Sequence, residues 1–244
     1  MIVFVHGVPE TAAIWRKVQA QVEGESVSVA LPGFGCPRPD GFGATRDEYV
    51  EWLVGQLDAI GEPVHLVGHD WGAGLTFRVA TAFGDRLRSW VADCGSLAHP
   101  DYVWHAFAQV WQTPGEGESY MRAQEAQPDE ERAAGLAGIF SLSLEDAMEM
   151  AAAQDRTMDD CILELYRSAV PNPHHGWGPW SPTSAPGMVV HPSEDPFSIE
   201  PLAEEAAGLL GARFAVLEGT NHFWPYENPD GAVALLQGFW ASLD

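Results

Sequence analysis

The chain has 244 residues, with 35 acidic against 12 basic side chains and a formal net charge of −23. At about 150 residues per domain this is one or two domains with room for a sizeable core, and 46% hydrophobic residues with 10 Trp and 11 Phe exclude a disordered acidic tail. So few cations exclude a nucleic-acid surface and disfavour an anionic membrane or a strongly anionic substrate. Cys36, Cys94 and Cys161 are widely spaced and form no CxxC pair. Reduced thiols in a cytoplasmic protein are expected, with neither a disulfide framework nor a zinc site. No apolar run approaches the roughly 20 residues of a membrane span, and no signal peptide is expected because the first residues already read as a core strand.

Ile2 to Val5 is a continuous apolar run, the pattern of a strand buried on both faces. His6-Gly7-Val8-Pro9-Glu10 is a loop, and Ile14, Trp15, Val18 and Val22 predict a helix over 11–22. Val27 to Leu31 reads as a second strand. Thr45 with Glu48 forms a capping-box pattern opening a helix that ends near Gly61. A strand over 64–68, a helix over 74–83 and a strand over 87–92 follow. Strands at 187–191 and 213–217 each precede a helix, at 202–210 and 232–243. Alternating strands and helices predict a mainly parallel α/β sheet of about six strands.

The stretch 99–185 breaks this rhythm. It has no strand-like run, and helical segments are expected near 102–112, 130–140, 144–154 and 159–168, ending in a Pro/Gly/Trp-rich loop. Ser143 with Asp146 is another capping-box-like start. The expected organisation is core over 1–98, a helical cap over 99–185, and core again over 186–244.

Val67-Gly68-His69-Asp70-Trp71-Gly72 follows a strand and opens a helix. Glycines two before and two after the central residue are the mark of a nucleophile elbow. The central residue here is Asp70. A carboxylate there attacks an sp³ carbon, forming an ester that water activated by a His–acid pair must hydrolyse. His222 lies just after the last strand, and Asp195 lies after the preceding one, with Glu194 its adjacent competitor. Nucleophile, acid and base thus follow in the chain order expected of this topology. The backbone N–H groups of Val8 and Trp71 are candidates for an oxyanion hole. His174-His175 has no acidic or Cys partner at ligand spacing, so no metal is expected.

HGVP, the GHDWG elbow and the late His together resemble the α/β-hydrolase superfamily, and within it the branch with an Asp nucleophile: epoxide hydrolases, haloalkane dehalogenases and fluoroacetate dehalogenases. The resemblance implies the fold, an Asp70–Asp195–His222 triad and no cofactor. It also implies two further N-terminal strands that are missing here, since Met1-Ile2 starts the HGVP strand directly. A homodimer covering that bare edge is expected on this ground.

Within the branch, neutral-haloalkane dehalogenases carry Asn where this chain has Val8, and fluoroacetate dehalogenases carry Arg where it has Trp71. Epoxide hydrolases resemble HGxPE followed by Trp, as in Glu10 and Trp15. Their cap supplies two tyrosines that protonate the epoxide oxygen. Tyr166 matches one. Phe107 stands at the other and cannot donate, leaving His105 or Tyr102 as substitutes. His105, Phe107, Trp111 and Phe223 are expected to line the substrate pocket. The leading expectation is epoxide hydrolysis of a small neutral apolar substrate through an ester on Asp70. The alternatives are haloalkane dehalogenation, ester or lactone hydrolysis, and a non-catalytic ligand-binding protein of this fold.

Overall fold

The computed structural model describes residues 1–177 and 180–243. Six strands form one parallel sheet: β1 (Ile2–Val5), β2 (Ser26–Val29), β3 (Val64–Gly68), β4 (Leu87–Ala92), β5 (Gly187–Pro192) and β6 (Arg213–Leu217), in the order β2-β1-β3-β4-β5-β6. The order reverses between β1 and β3. In open α/β sheets the crevice beyond the carboxyl ends at such a switch point is where ligands bind. The loop at His6–Glu10 and the turn at Asp70 both leave the sheet there.

Alternation along each strand divides the core. Val3, Val5, Val64 and Leu66 face one layer, and Ile2, Phe4 and Val67 face the other. The first layer is covered by α2 (Arg46–Ile60), α3 (Trp71–Ala82) and α9 (Glu200–Leu210), through residues such as Leu53, Val79 and Ala206. The second is covered by α1 (Arg16–Gln19), α10 (Trp224–Glu227) and α11 (Pro229–Ala241), through Val18, Trp224, Leu236 and Phe239. α2 carries the expected capping box: Thr45 accepts from the Glu48 N–H, and Glu48 accepts from the Thr45 N–H. It ends on left-handed Gly61.

Two elements before β3 differ from the sequence reading. The segment 11–22 splits into a 3₁₀ turn, Ala12–Trp15, and the single turn α1, since either winding buries Ile14, Trp15 and Val18. β2 stops at Val29 rather than Leu31, because the Leu31 N–H leaves the ladder and donates to His6 Nε2 at 3.0 Å.

Between β4 and β5 the described residues form five helices: α4 (Ala106–Gln112), α5 (Glu116–Glu125), α6 (Asp129–Phe140), α7 (Leu144–Ala153) and α8 (Arg156–Ser168). α4 begins at Ala106 rather than near Tyr102, with His105 as its N-cap. α5 was not anticipated. Only Gly117 and Met121 of it are buried, so it has no apolar period to read. Ion pairs tie these helices to the core: Asp146 at the start of α7 meets both Arg16 and Lys17 at 2.7 Å. The buried Arg46 guanidinium donates to the carbonyls of Pro173 and His175 and stacks over Trp177. Among the described residues no helix is long and apolar enough to cross a membrane.

Gly187 shows how tightly β5 is packed. A Cβ there would meet the Trp90 ring at 2.1 Å. Gly187→Ala is expected to cost roughly 1–3 kcal/mol as overpacking, read as a lowered midpoint in thermal or urea unfolding.

Candidate active site

The turn from β3 into α3 works only because its flanking residues lack side chains. A Cβ at Gly68 would meet the Gly72 carbonyl oxygen at 2.3 Å, and one at Gly72 would meet the Val5 carbonyl oxygen at 2.3 Å. Asp70 at the apex has φ 51° and ψ −117°, a backbone conformation strained for any residue with a side chain. Its amide is held by Asp93, which accepts from the Asp70 N–H at 2.9 Å.

The Asp70 carboxylate reaches across to the loop after β1. Its Oδ1 accepts from the Val8 N–H at 2.8 Å, and Gly7 leaves the room, since a Cβ there would lie 2.3 Å from that oxygen. Its Oδ2 lies 3.9 Å from His222 Nε2. His222 Nδ1 pairs with Asp195 Oδ2 at 3.0 Å, and the Phe197 N–H holds the other Asp195 oxygen at 2.8 Å. Asp195 is buried and Glu194 exposed, so the choice between these neighbours falls on Asp195.

Burial pushes the Asp70 carboxyl up to about 6, against the opposing pull of His222. Burial lowers His222, but Asp195 outweighs it and holds the imidazole above its ordinary value.

A second buried cluster stands behind this one. His69 Nδ1 pairs closely with Asp93 Oδ2, and its Nε2 lies 3.1 Å from Glu10 Oε1. Trp224 Nε1 donates to Asp93 at 2.5 Å. Burial opposes a charge on His69, but Asp93 and Glu10 prevail and raise its pKa well above the ordinary value. The Glu10 carboxylate is buried, and neither of its oxygens accepts a well-formed hydrogen bond among the described residues. Ligand atoms of Glu10, His69 and His222 all lie within 4.8 Å of one another. The sequence reading gave Glu10, His69 and Asp93 no role. Their signal was position: each sits one to five residues past the carboxyl end of β1, β3 or β4.

The other expected residues gather around one cavity of about 410 Å³. Asp70, His222, Val8 and Tyr166 line it at the sheet edge. His105, Trp111 and Phe223 form wall, and Phe107, 41% exposed, stands at the mouth. Trp71 lines an adjoining chamber shared with Asp70, Tyr102 and Tyr166. Among the described residues its buried indole N–H meets no well-formed acceptor. His174 binds the Leu97 carbonyl through Nδ1 at 2.9 Å and stays in the loop.

The donors facing the cavity are defined by their partners. His105 Nδ1 accepts from the Ala108 N–H at 3.2 Å, so the neutral ring carries its proton on Nε2. Burial, then His222, lowers the His105 pKa to about 4, keeping it neutral near pH 7. Burial, then the charge of Asp70, raises the Tyr166 hydroxyl well above its ordinary value, so it keeps its proton.

A family model described as the alpha/beta hydrolase family matches residues 2–235. The chain belongs to the alpha/beta hydrolase family. A haloalkane dehalogenase of Mycolicibacterium smegmatis is 39% identical over 94 residues, 35% of this chain and 30% of that protein. Epoxide hydrolase 2 of Siraitia grosvenorii is 34% identical over 98 residues, 37% of this chain and 30% of that protein. These alignments thus span about a third of the curated relatives. The crystal structure of a haloalkane dehalogenase from Bradyrhizobium elkani superimposes with a TM-score of 0.77 at 20% identity, covering 99% of this chain and 90% of that one. This likeness supports the fold of the α/β hydrolase.

With its carboxyl near 6, Asp70 loses its negative charge as pH falls through that value and regains it above. Carboxyl-carbon NMR on Asp-labelled protein is expected to show one aspartate titrating near pH 6, and that signal is expected to vanish in Asp70→Asn.

Proposed function

We propose that this α/β hydrolase opens epoxides through a covalent ester on Asp70. The observation that carries the reading is that one cavity holds the Asp70 carboxylate together with two protonated donors, Tyr166 and the Nε2–H of His105. His105 thereby takes the place of the tyrosine that Phe107 cannot supply.

In the first step an Asp70 oxygen attacks a ring carbon. The C–O bond of the ring breaks, and the oxygen leaving with the electron pair takes a proton from Tyr166 while His105 donates a hydrogen bond to it. In the second step His222, oriented by Asp195, removes a proton from water, and the hydroxide attacks the Asp70 carboxyl carbon. The resulting oxyanion is met by the Val8 N–H, which already binds that carboxyl group, and by the Trp71 N–H. On collapse the departing diol oxygen takes the proton held by His222, and the proton left on the Asp70 carboxyl passes through solvent to the Tyr166 phenolate, which restores all three side chains. The Glu10 carboxylate, paired with His69 at 3.1 Å and placed beside His222, accepts the second hydrogen of that water and orients it.

A second reading is dehalogenation of a neutral haloalkane. It is favoured by the buried indole N–H of Trp71, a donor suited to a departing halide. Halide release from short bromoalkanes, with no diol formed from epoxides, selects it.

Asp70→Ala is expected to abolish turnover, and His222→Gln to stop the cycle at the ester, seen by intact-protein mass spectrometry as Asp70 plus the substrate mass. Normal epoxide turnover in His222→Gln would overturn the mechanism. Tyr166→Phe is expected to slow ring opening by roughly 10²–10⁴-fold, the usual range for a lost general acid, read in single-turnover kinetics. Glu10→Gln is expected to leave ester formation fast and slow its hydrolysis, so that the ester accumulates during steady state.

A further inference from the structure

The cavity does not end at the apolar wall. Away from Asp70 it opens into a side chamber of about 90 Å³, and Trp111, Tyr120, Gln124 and Arg132 line both spaces. At about 30 Å³ per water, the chamber holds a functional group of a few heavy atoms.

Two features of its wall are unusual. Trp111 Nε1 and Arg132 Nε are both buried N–H groups, and among the described residues neither meets an acceptor. Trp111 sits on α4 and Arg132 on α6, so two separate elements of the chamber's wall each carry an unpaired donor. A buried donor left unmade costs about 1–3 kcal/mol. One group satisfies both: a carbonyl oxygen, which has two lone pairs and no proton.

The surrounding charge decides whether that group is neutral. Arg132 already pairs with Asp129 at 2.6 Å. Glu131 lines the cavity nearby, and the buried Asp159 is close enough for Arg132 to act on its charge. A carboxylate would add a fourth acidic group around one guanidinium, in a chain of net charge −23. A neutral carbonyl meets the two N–H donors without that repulsion.

We infer that the substrate is bifunctional: an apolar body with its reactive carbon at Asp70 and, at the far end, a neutral amide or ester carbonyl received by Trp111 and Arg132. The inference rests on the reading of the cavity as an epoxide hydrolase site and names the class of epoxide it takes.

The test is kcat/KM for a series of terminal epoxides on linear tails of equal length, ended in methyl, methyl ester, primary amide or carboxylate. Ester- or amide-ended members are expected to exceed the methyl-ended one by roughly ten- to a hundredfold, the equivalent of pairing a buried donor. That ratio is expected to fall towards one in Arg132→Met and to shrink in Trp111→Phe, with partial recovery in Arg132→Lys. A ratio near one in the unmodified protein means that the chamber holds only water and overturns the inference. So does a preference for the carboxylate, or a carbonyl preference that survives both Arg132→Met and Trp111→Phe. Calorimetric titration with hexanamide separates the two readings. If no epoxide is turned over, the proposed reaction falls, while roughly tenfold weaker hexanamide binding in Arg132→Met still supports the carbonyl site. Equal binding to both proteins overturns the site alone.

Discussion

The hydrogen bond from the Asp70 amide to Asp93 holds the centre of this molecule together. Asp70 sits in a backbone conformation that costs of order 1–3 kcal/mol when nothing supports it. The support is layered. Asp93 grips the strained amide, His69 and Trp224 grip Asp93, and Glu10 closes the row beyond His69. Each member arises at the carboxyl end of a strand or in the loop after it, so the parallel sheet delivers all of them to one edge. An antiparallel neighbour would have sent half of these ends to the opposite side.

The same layering sorts the buried charges. The row of Glu10, His69 and Asp93 alternates in sign, as does the row of Asp70, His222 and Asp195. Groups removed from water need such partners to remain ionised. Asp70 has the weakest pairing, at 3.9 Å from His222, and it is the group whose pKa rises to about 6. With a loose counter-ion and a single amide contact, it is held less closely than the other buried acids. The helices between β4 and β5 add no charge to the innermost part of this arrangement. They bring Tyr166, His105 and Trp111, which are neutral donors on an apolar wall.

The strands and the positions at their ends were readable because each depends on a few adjacent residues: β-branched runs, paired glycines and an acid or base just past the run. Asp70, Asp195 and His222 follow this pattern, and the structure brings their side chains together. Asp93 and His69 obey the same rule but are harder to single out, because an acid after a strand and a histidine before the apex of a turn look unremarkable until their separation in space is known. In the sequence Glu10 is only a motif letter, and its place beside His69 and His222 is visible only in space. The helices were harder where amphipathicity was weak. α5 is polar around most of its circumference, and the first turns after Thr11 satisfy two windings equally. The choice of Asp195 over Glu194 rested on burial, which adjacent residues in a loop do not reveal.

His105 serves the protein twice, with its Nδ1 capping α4 and its ring lining the cavity. The fold keeps this imidazole neutral down to about pH 4, whereas in the unfolded chain it takes up a proton near its ordinary value. As the medium is acidified between those two values, the unfolded state gains a proton that the native state refuses. The histidine therefore weakens the native protein progressively over that interval and no further below it. The residue that sets the proton donor in the cavity is thus also one source of acid sensitivity for the helix that carries Trp111.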